Sequence, residues 1–299
     1  MTVSMVSAAI VAALVGYGST IALVLSAAVA VGANAAQAAS WMLAICLAKA
    51  VGSAGLGWYS RVPVVLAWST PGAALIAASS GYTINEAVGA FILAGGLIAL
   101  TGLIRPLEDL VARIPADIAS ALLAGVLLPF VLRLAGAVQA SPLTLLVMIA
   151  VFAAVRLRNP SFAVLAALGL GLLLGLWGVP VHDLRVTLPA PLFIRPEFHP
   201  GALIGLGIPL YLVTMASQNL PGFATLRAAG YEPPVRPALI TTGGLSAVSA
   251  LFGAHTVSMA AITAAICLAT MSTATGQSAG RSAWPMAASG CFWACSARW

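Results

Sequence analysis

Pro63-Val-Val-Leu-Ala-Trp-Ser-Thr-Pro-Gly-Ala-Ala-Leu-Ile-Ala-Ala78 is the stretch whose reading decides the fold. It is apolar, yet too short to cross a bilayer as a helix, which takes about 20 residues. It reads as extended through Trp68 and helical only after Thr70, because Pro71 suits a first helical turn and Ser69 or Thr70 can cap it. A second brief run, 255–268, opens Phe252-Gly-Ala-His-Thr256 and continues apolar through Leu268. Glycine, a polar cap and a short helix form the pattern of a helix that begins inside the membrane. Two such interrupted segments in corresponding places of a chain point to a transporter's binding site.

Outward from these segments the composition agrees. The chain has 299 residues, 61% of them hydrophobic and only 7% charged, with a mean hydropathy of +1.06. A soluble domain carries roughly a quarter charged residues, so the solvent for most of this surface is lipid. Spanning lipid requires backbone groups to pair internally, and unbroken runs of Ala, Leu, Gly and Val select helices over the ten-residue alternation of a barrel. Full spans are expected near 8–30, 38–58, 85–104, 118–136, 142–155, 161–178, 201–218 and 237–253, with 64–79 and 255–268 interrupted.

Charge placement sets the topology. Counted from a cytoplasmic N-terminus, Arg61, Arg105, Arg113, Arg156, Arg158, Arg227 and Arg236 fall inside and only Arg185 and Arg195 outside, in line with the positive-inside rule. The net charge of +6 comes from basic residues scattered singly between apolar runs, not from the basic stripe of a nucleic-acid binder. The first charged residue is Lys49, so no basic region precedes the first apolar run, which reads as a retained span and not a cleaved signal peptide. Cys46 and Cys267 sit in apolar runs as small hydrophobes, and the C-x3-C of Cys291 and Cys295 is weak evidence for a metal. No H-E-x-x-H, Gly-rich phosphate loop or Asp-rich cluster supports an enzyme.

The candidate site residues follow from the interruptions. Helix starts at Ser69–Gly72 and His255–Ser258 would aim unpaired N–H groups and positive dipole ends at one midplane spot, a place for a carboxylate. The alternative is two kinked helices packed for structural reasons. Gln218 and Asn219, at the end of the 201–218 span, can donate hydrogen bonds to an anion or merely cap the helix before Pro221. Tyr17, Ser19 and Thr20 occupy the related position on the first span, where small hydroxyls also bond their own helix carbonyls. His255 is a proton-carrier candidate or a plain N-cap. Lys49 is a mid-span charge and so a functional candidate by default, unless its stem snorkels; Arg133, near a span end, reads as snorkelling. Leu25-Ser-Ala-Ala28 resembles Leu226-Arg-Ala-Ala229, and each is followed by a full span and then an interrupted segment, which suggests an internal repeat.

The string Pro209-Leu-Tyr-Leu-Val-Thr-Met-Ala-Ser-Gln-Asn-Leu-Pro-Gly222, with Leu226-Arg-Ala-Ala-Gly-Tyr231, Trp68-Ser-Thr-Pro-Gly-Ala-Ala74 and Ala260-Ala-Ile-Thr-Ala-Ala-Ile266, closely resembles the BenE-type benzoate/proton symporter family from about residue 8 to 268. The resemblance implies an all-α polytopic membrane protein with the seven-plus-seven inverted-repeat transporter fold of uracil transporters and anion exchangers. It implies segments 3 and 10 broken at mid-membrane, a core of segments 1–4 and 8–11, and a gate of segments 5–7 and 12–14. Residues 1–105 are then first-repeat core, 106–180 gate and 181–268 second-repeat core. Residues 269–299 depart from the family in composition and read as an aberrant, frameshift-like tail, so that the chain is expected to stop after segment 10 of 14, with inactivity left open.

The implied activity is secondary active import of an aromatic carboxylate, benzoate by the family's example, with protons, across the bacterial inner membrane. Ser69, Thr70, Gly72, Gln218, Asn219, His255, Thr256, Tyr17 and Ser19 would hold the substrate. No cofactor, metal or nucleic acid is expected, and a homodimer is left open. Alternatives are an anion or nucleobase carrier of the same fold, or a membrane remnant without function. Uracil-transporting relatives of this fold use glutamates in the core; no Glu or Asp lies mid-span here. Proton coupling would then fall to His255 or to the substrate's own carboxyl.

Overall fold

The computed structural model describes residues 17, 20–104, 128, 132, 138, 141–158, 160–176 and 189–260. Ser19, Arg133, nearly all of the 118–136 span, everything after Ala260 and the 269–299 tail lie outside the described residues. The described part is mostly helical: α1 (Thr20–Ala30), α2 (Ala35–Ser60), α3 (Thr70–Ala78), α4 (Ile84–Leu103), α5 (Pro142–Arg158), α6 (Pro160–Leu176), α7 (Pro200–Ala228) and α8 (Val235–Ala250). Two short strands, β1 (Leu66–Trp68) and β2 (Val257–Met259), complete it. Among the described residues α2, α4 and α7 are long and apolar enough to cross a membrane.

Local chemistry fixes where these helices start and stop. Asn34 caps α2 through a reciprocal pair, its side chain accepting from Gln37 N–H at 2.9 Å while the Gln37 side chain accepts from Asn34 N–H at 2.9 Å. Thr83 and Glu86 cap α4 in the same way. Gly32, Gly230 and Gly253 take φ of +74°, +83° and +91° just past α1, α7 and α8. At each, the following N–H reaches back to close the helix, as Ala33 to Ala28 O, Tyr231 to Leu226 O and Ala254 to Ser249 O. The order α1–α2–β1 is therefore echoed by α7–α8–β2. At the glycine turns Ala28 and Leu226 occupy equivalent acceptor positions.

The strands form an antiparallel pair: Leu66 opposite Met259, Ala67 opposite Ser258, Trp68 opposite Val257. Hydrogen bonds Ser69 N–H to Thr256 O and Ala260 N–H to Val65 O, both 2.9 Å, extend it. Extended backbone is tolerated at membrane depth only when protein covers and satisfies it. Here each interruption satisfies the inner edge of the other. Three outward-facing N–H groups are capped by side chains: Leu66 by Ser53 Oγ of α2 (2.9 Å), Val257 by Ser246 Oγ of α8 (2.8 Å) and Met259 by Asn219 Oδ1 of α7 (2.9 Å).

The first interruption is as the sequence predicts, with α3 starting behind Ser69. The second is not. His255–Ser258 is no helix start; it is extended backbone and strand through Met259. β-Branched Thr256 and Val257 favour that conformation, and the partner strand stabilises it, so the residues expected to start the helix are held extended instead. A second correction concerns Gln218 and Asn219. They neither end nor cap the helix, because α7 runs on to Ala228.

Proline explains how. Pro209 and Pro221 lack an N–H and crowd the carbonyl four residues earlier. Immediately before each, α7 widens into a π turn, Leu203–Gly207 and Met215–Asn219. There Ile208 N–H bonds Leu203 O and Leu220 N–H bonds Met215 O. The extra residue rotates Asn219 onto the strand pair, and such π bulges cluster at functional sites. Beneath the pair, α4 and α8 approach closely through glycine. A Cβ on Gly243 would strike Ala99 N and Gly95 O, and one on Gly95 would lie 2.7 Å from Ala247 N.

Candidate functional site at the crossing of the interrupted segments

Three hydroxyls meet where the strands end. Ser69 caps α3, its Oγ accepting from Gly72 N–H at 3.1 Å and from the Thr214 hydroxyl of α7 at 2.9 Å. Thr214 Oγ1 lies 2.9 Å from Thr256 Oγ1. Since Thr214 spends its proton on Ser69, Thr256 donates to Thr214, and the chain of donors runs Thr256 to Thr214 to Ser69. Its last proton belongs to the Ser69 hydroxyl, at the start of α3. All three residues are fully buried. Gly72 is required there, since a Cβ would sit 2.7 Å from Leu210 Cδ1 and 2.8 Å from Ser69 Oγ. Thr70 is half-buried as the first residue of α3.

His255 is a buckle across this crossing. Its Nδ1 lies 3.0 Å from Trp41 Nε1 and its Nε2 3.1 Å from Ser69 O. An indole N–H only donates, so Nδ1 accepts, and Nε2–H donates to the Ser69 carbonyl. Both nitrogens of a neutral ring are committed, and a proton added at Nδ1 would face the Trp41 donor. Trp41 also stacks edge-on against Phe91 of α4, 5.3 Å between ring centroids.

Asn219 and Gln218, paired in the sequence reading, part company. Asn219 is fully buried, holding Met259 N–H with Oδ1 while Nδ2 donates to Met215 Sδ at 3.1 Å. Gln218 is only half-buried. Between Asn219 and Thr214 lies Ser217, whose buried Oγ has no hydrogen-bond partner among the described residues. A buried, unpaired hydroxyl calls for an explanation, and a ligand is one.

On the other side of β1 stands Lys49, midway along α2 and 8% exposed. Its Nζ lies 4.1 Å from the centre of the Trp68 ring and 5.4 Å from that of Tyr17. Trp68 is oriented by its Nε1–H bond to Thr20 Oγ1 (3.0 Å) and by edge contact with Tyr17, 5.1 Å between centroids. Tyr17 and Thr20 are therefore anchored to the end of β1. The structure brings Ser69, Thr70, Gly72, His255 and Thr256 together, with Tyr17 and Lys49 beside Trp68.

Thr214, Ser246, Ser53 and Trp41 escape the sequence reading. Thr214 and Ser217 carried a signal, a Thr and a Ser inside the same apolar span near a proline. Ser53 and Ser246 carried none, since they act by accepting from strands that only the tertiary fold creates.

The family model described as benzoate membrane transport protein matches residues 1–292, past the change in composition at 269. The chain is 41% identical over 263 residues to inner membrane protein YdcO of Escherichia coli (strain K12), covering 87% of this chain and 67% of that protein. It is 32% identical over 266 residues to the benzoate membrane transport protein of Acinetobacter baylyi, with the same two coverages.

Proposed function

Because the chain belongs to the benzoate membrane transport family, a family of membrane transporters and not of enzymes, we propose that it carries an aromatic carboxylate of the benzoate type across the bacterial inner membrane together with protons. The site is the crossing of the two interrupted segments. The observation that carries this reading is the hydroxyl chain from Thr256 through Thr214 to Ser69, which ends as a donor beside the N-terminus of α3. A carboxylate placed there would accept from the Ser69 hydroxyl at the positive end of α3, whose dipole favours an anion. Gln218, half-buried and on the same helix as Thr214, is the amide available to the substrate, while Asn219 holds β2.

The order of elements supports the reading. The order α1–α2–β1 and α7–α8–β2, with antiparallel strands, is what two oppositely oriented repeats meeting at mid-membrane would produce. With both nitrogens committed to Trp41 and Ser69, His255 serves as a buckle of the crossing and not as the proton carrier. Proteoliposomes holding the purified chain, given labelled benzoate and an inward proton gradient, test the proposal. Saturable uptake abolished by a protonophore and competed by benzoate but not uracil is expected. Competition by uracil would make it a nucleobase carrier instead, and absence of any proton-driven uptake would overturn the proposal.

A further inference from the structure

We infer that Lys49 is the counter-charge for the substrate carboxylate, and that Lys49, Trp68 and Tyr17 make the chain selective for aromatic monocarboxylates over their neutral analogues. This rests on the benzoate-type reading above and adds the residue that would enforce it.

An ammonium buried at mid-membrane is costly unless it is paired. α2 has 26 residues with Lys49 near its middle, too far from either end for its stem to reach water easily. The ammonium carries three donors, and no ion pair or hydrogen bond engages them among the described residues; its neighbours are the faces of Trp68 and Tyr17. The acids of the chain are Glu86, Glu108, Asp109, Asp117, Asp183, Glu197 and Glu232, so neither residues 1–85 nor 233–299 contain a carboxylate side chain. Of the described acids, Glu86 is engaged in the cap of α4 with Thr83, Glu197 lies in the chain tied to Asn85 at the same helix start, and Glu232 follows the end of α7. Among the described residues no carboxylate is stationed to neutralise Lys49.

The surroundings say what would. Cation–π contact offsets part of the desolvation and leaves the N–H donors to an incoming anion. Ser53, one turn beyond Lys49, donates to Lys49 O at 2.7 Å and accepts from Leu66 N–H, which pins this turn of α2 against β1. Trp68, the residue under the cation, immediately precedes Ser69, the cap of α3, in the chain. A planar aromatic acid matches both features, its ring against Trp68 and Tyr17 and its carboxylate on Nζ.

Equilibrium binding of labelled benzoate to the purified 299-residue chain in lipid nanodiscs, with unlabelled benzamide as the neutral competitor of the same shape, tests this. Wild type should prefer benzoate. Lys49→Met should weaken benzoate about tenfold or more, leave benzamide unchanged and not lower the melting temperature, since an uncompensated buried charge is removed. Lys49→Arg should keep the preference for the anion. If Lys49→Met binds benzoate as wild type does, or if Lys49→Met and Lys49→Arg both weaken benzoate and benzamide equally, the inference fails while the transport reading stands. If wild type binds neither, both fail together.

Discussion

The crossing of β1 and β2 and the α5–α6 pair are both apolar in composition, yet they live by different rules. α5 buries none of its side chains, and Leu143, Leu146, Leu172 and Leu173 are among the exposed apolar residues of the pair. These are smooth helices whose backbone is satisfied within themselves, and lipid is as good a neighbour as protein. At the crossing the backbone leaves the helix, and its polar groups cannot be left to lipid. Ser53, Ser246, Asn219, His255 and the opposing strand meet them one by one. Polar side chains are thus concentrated where the helices break, and those same groups are the ones able to recognise a polar substrate. On the proposed reading, structure and recognition draw on one cluster of residues, and substitutions should separate which residue serves which purpose.

The largest effect is expected beneath the crossing. Gly243→Leu would drive a side chain into Ala99 N and Gly95 O, and overpacking of this kind should cost about 3 kcal/mol. Loss of monodisperse protein during purification is the expected readout; normal yield and melting temperature would show that α4 and α8 can part. Next, Asn219→Ala leaves Met259 N–H buried without its acceptor, a loss of about 1–3 kcal/mol that a melting curve should show. Gln218→Ala should behave in the opposite way, leaving the melting temperature unchanged and weakening benzoate several-fold. If Gln218→Ala lowers stability as much as Asn219→Ala, the division of labour between these neighbours is wrong. Smallest of all, Leu146→Ala or Leu172→Ala on α5 and α6 should change stability by less than about 0.5 kcal/mol, and a larger loss would mean these faces pack against protein.

How much of this is legible in the sequence differs between the same regions. The long helices α2, α4 and α7 are legible because lipid leaves composition little choice. The first interruption is legible because Ser69, Thr70, Pro71 and Gly72 form a local signal: a cap, a proline at the first turn and a residue small enough for Leu210 to approach. The start of the second is misread because His255-Thr-Val-Ser258 has no such local signal; its conformation comes from a strand almost two hundred residues away in sequence. The π turn that brings Asn219 onto β2 hides behind Pro221, which from sequence reads as a helix end and in fact widens the helix by one residue. Of the site, the α3 cap and Lys49 can be seen in advance. The hydroxyl chain cannot, since Thr214 and Thr256 become partners only when α7 passes the strands.

The central claim is that this crossing receives an aromatic carboxylate through the chain that ends at Ser69. Thr214→Val keeps the shape of the side chain and removes the middle hydroxyl, so Ser69 loses its donor and Thr256 its acceptor. Equilibrium binding of labelled benzoate to purified wild type and Thr214→Val, each confirmed monodisperse, tests the claim most directly. Saturable wild-type binding, weakened about tenfold in Thr214→Val, is the predicted result; equal affinity in the two proteins would place the substrate somewhere else.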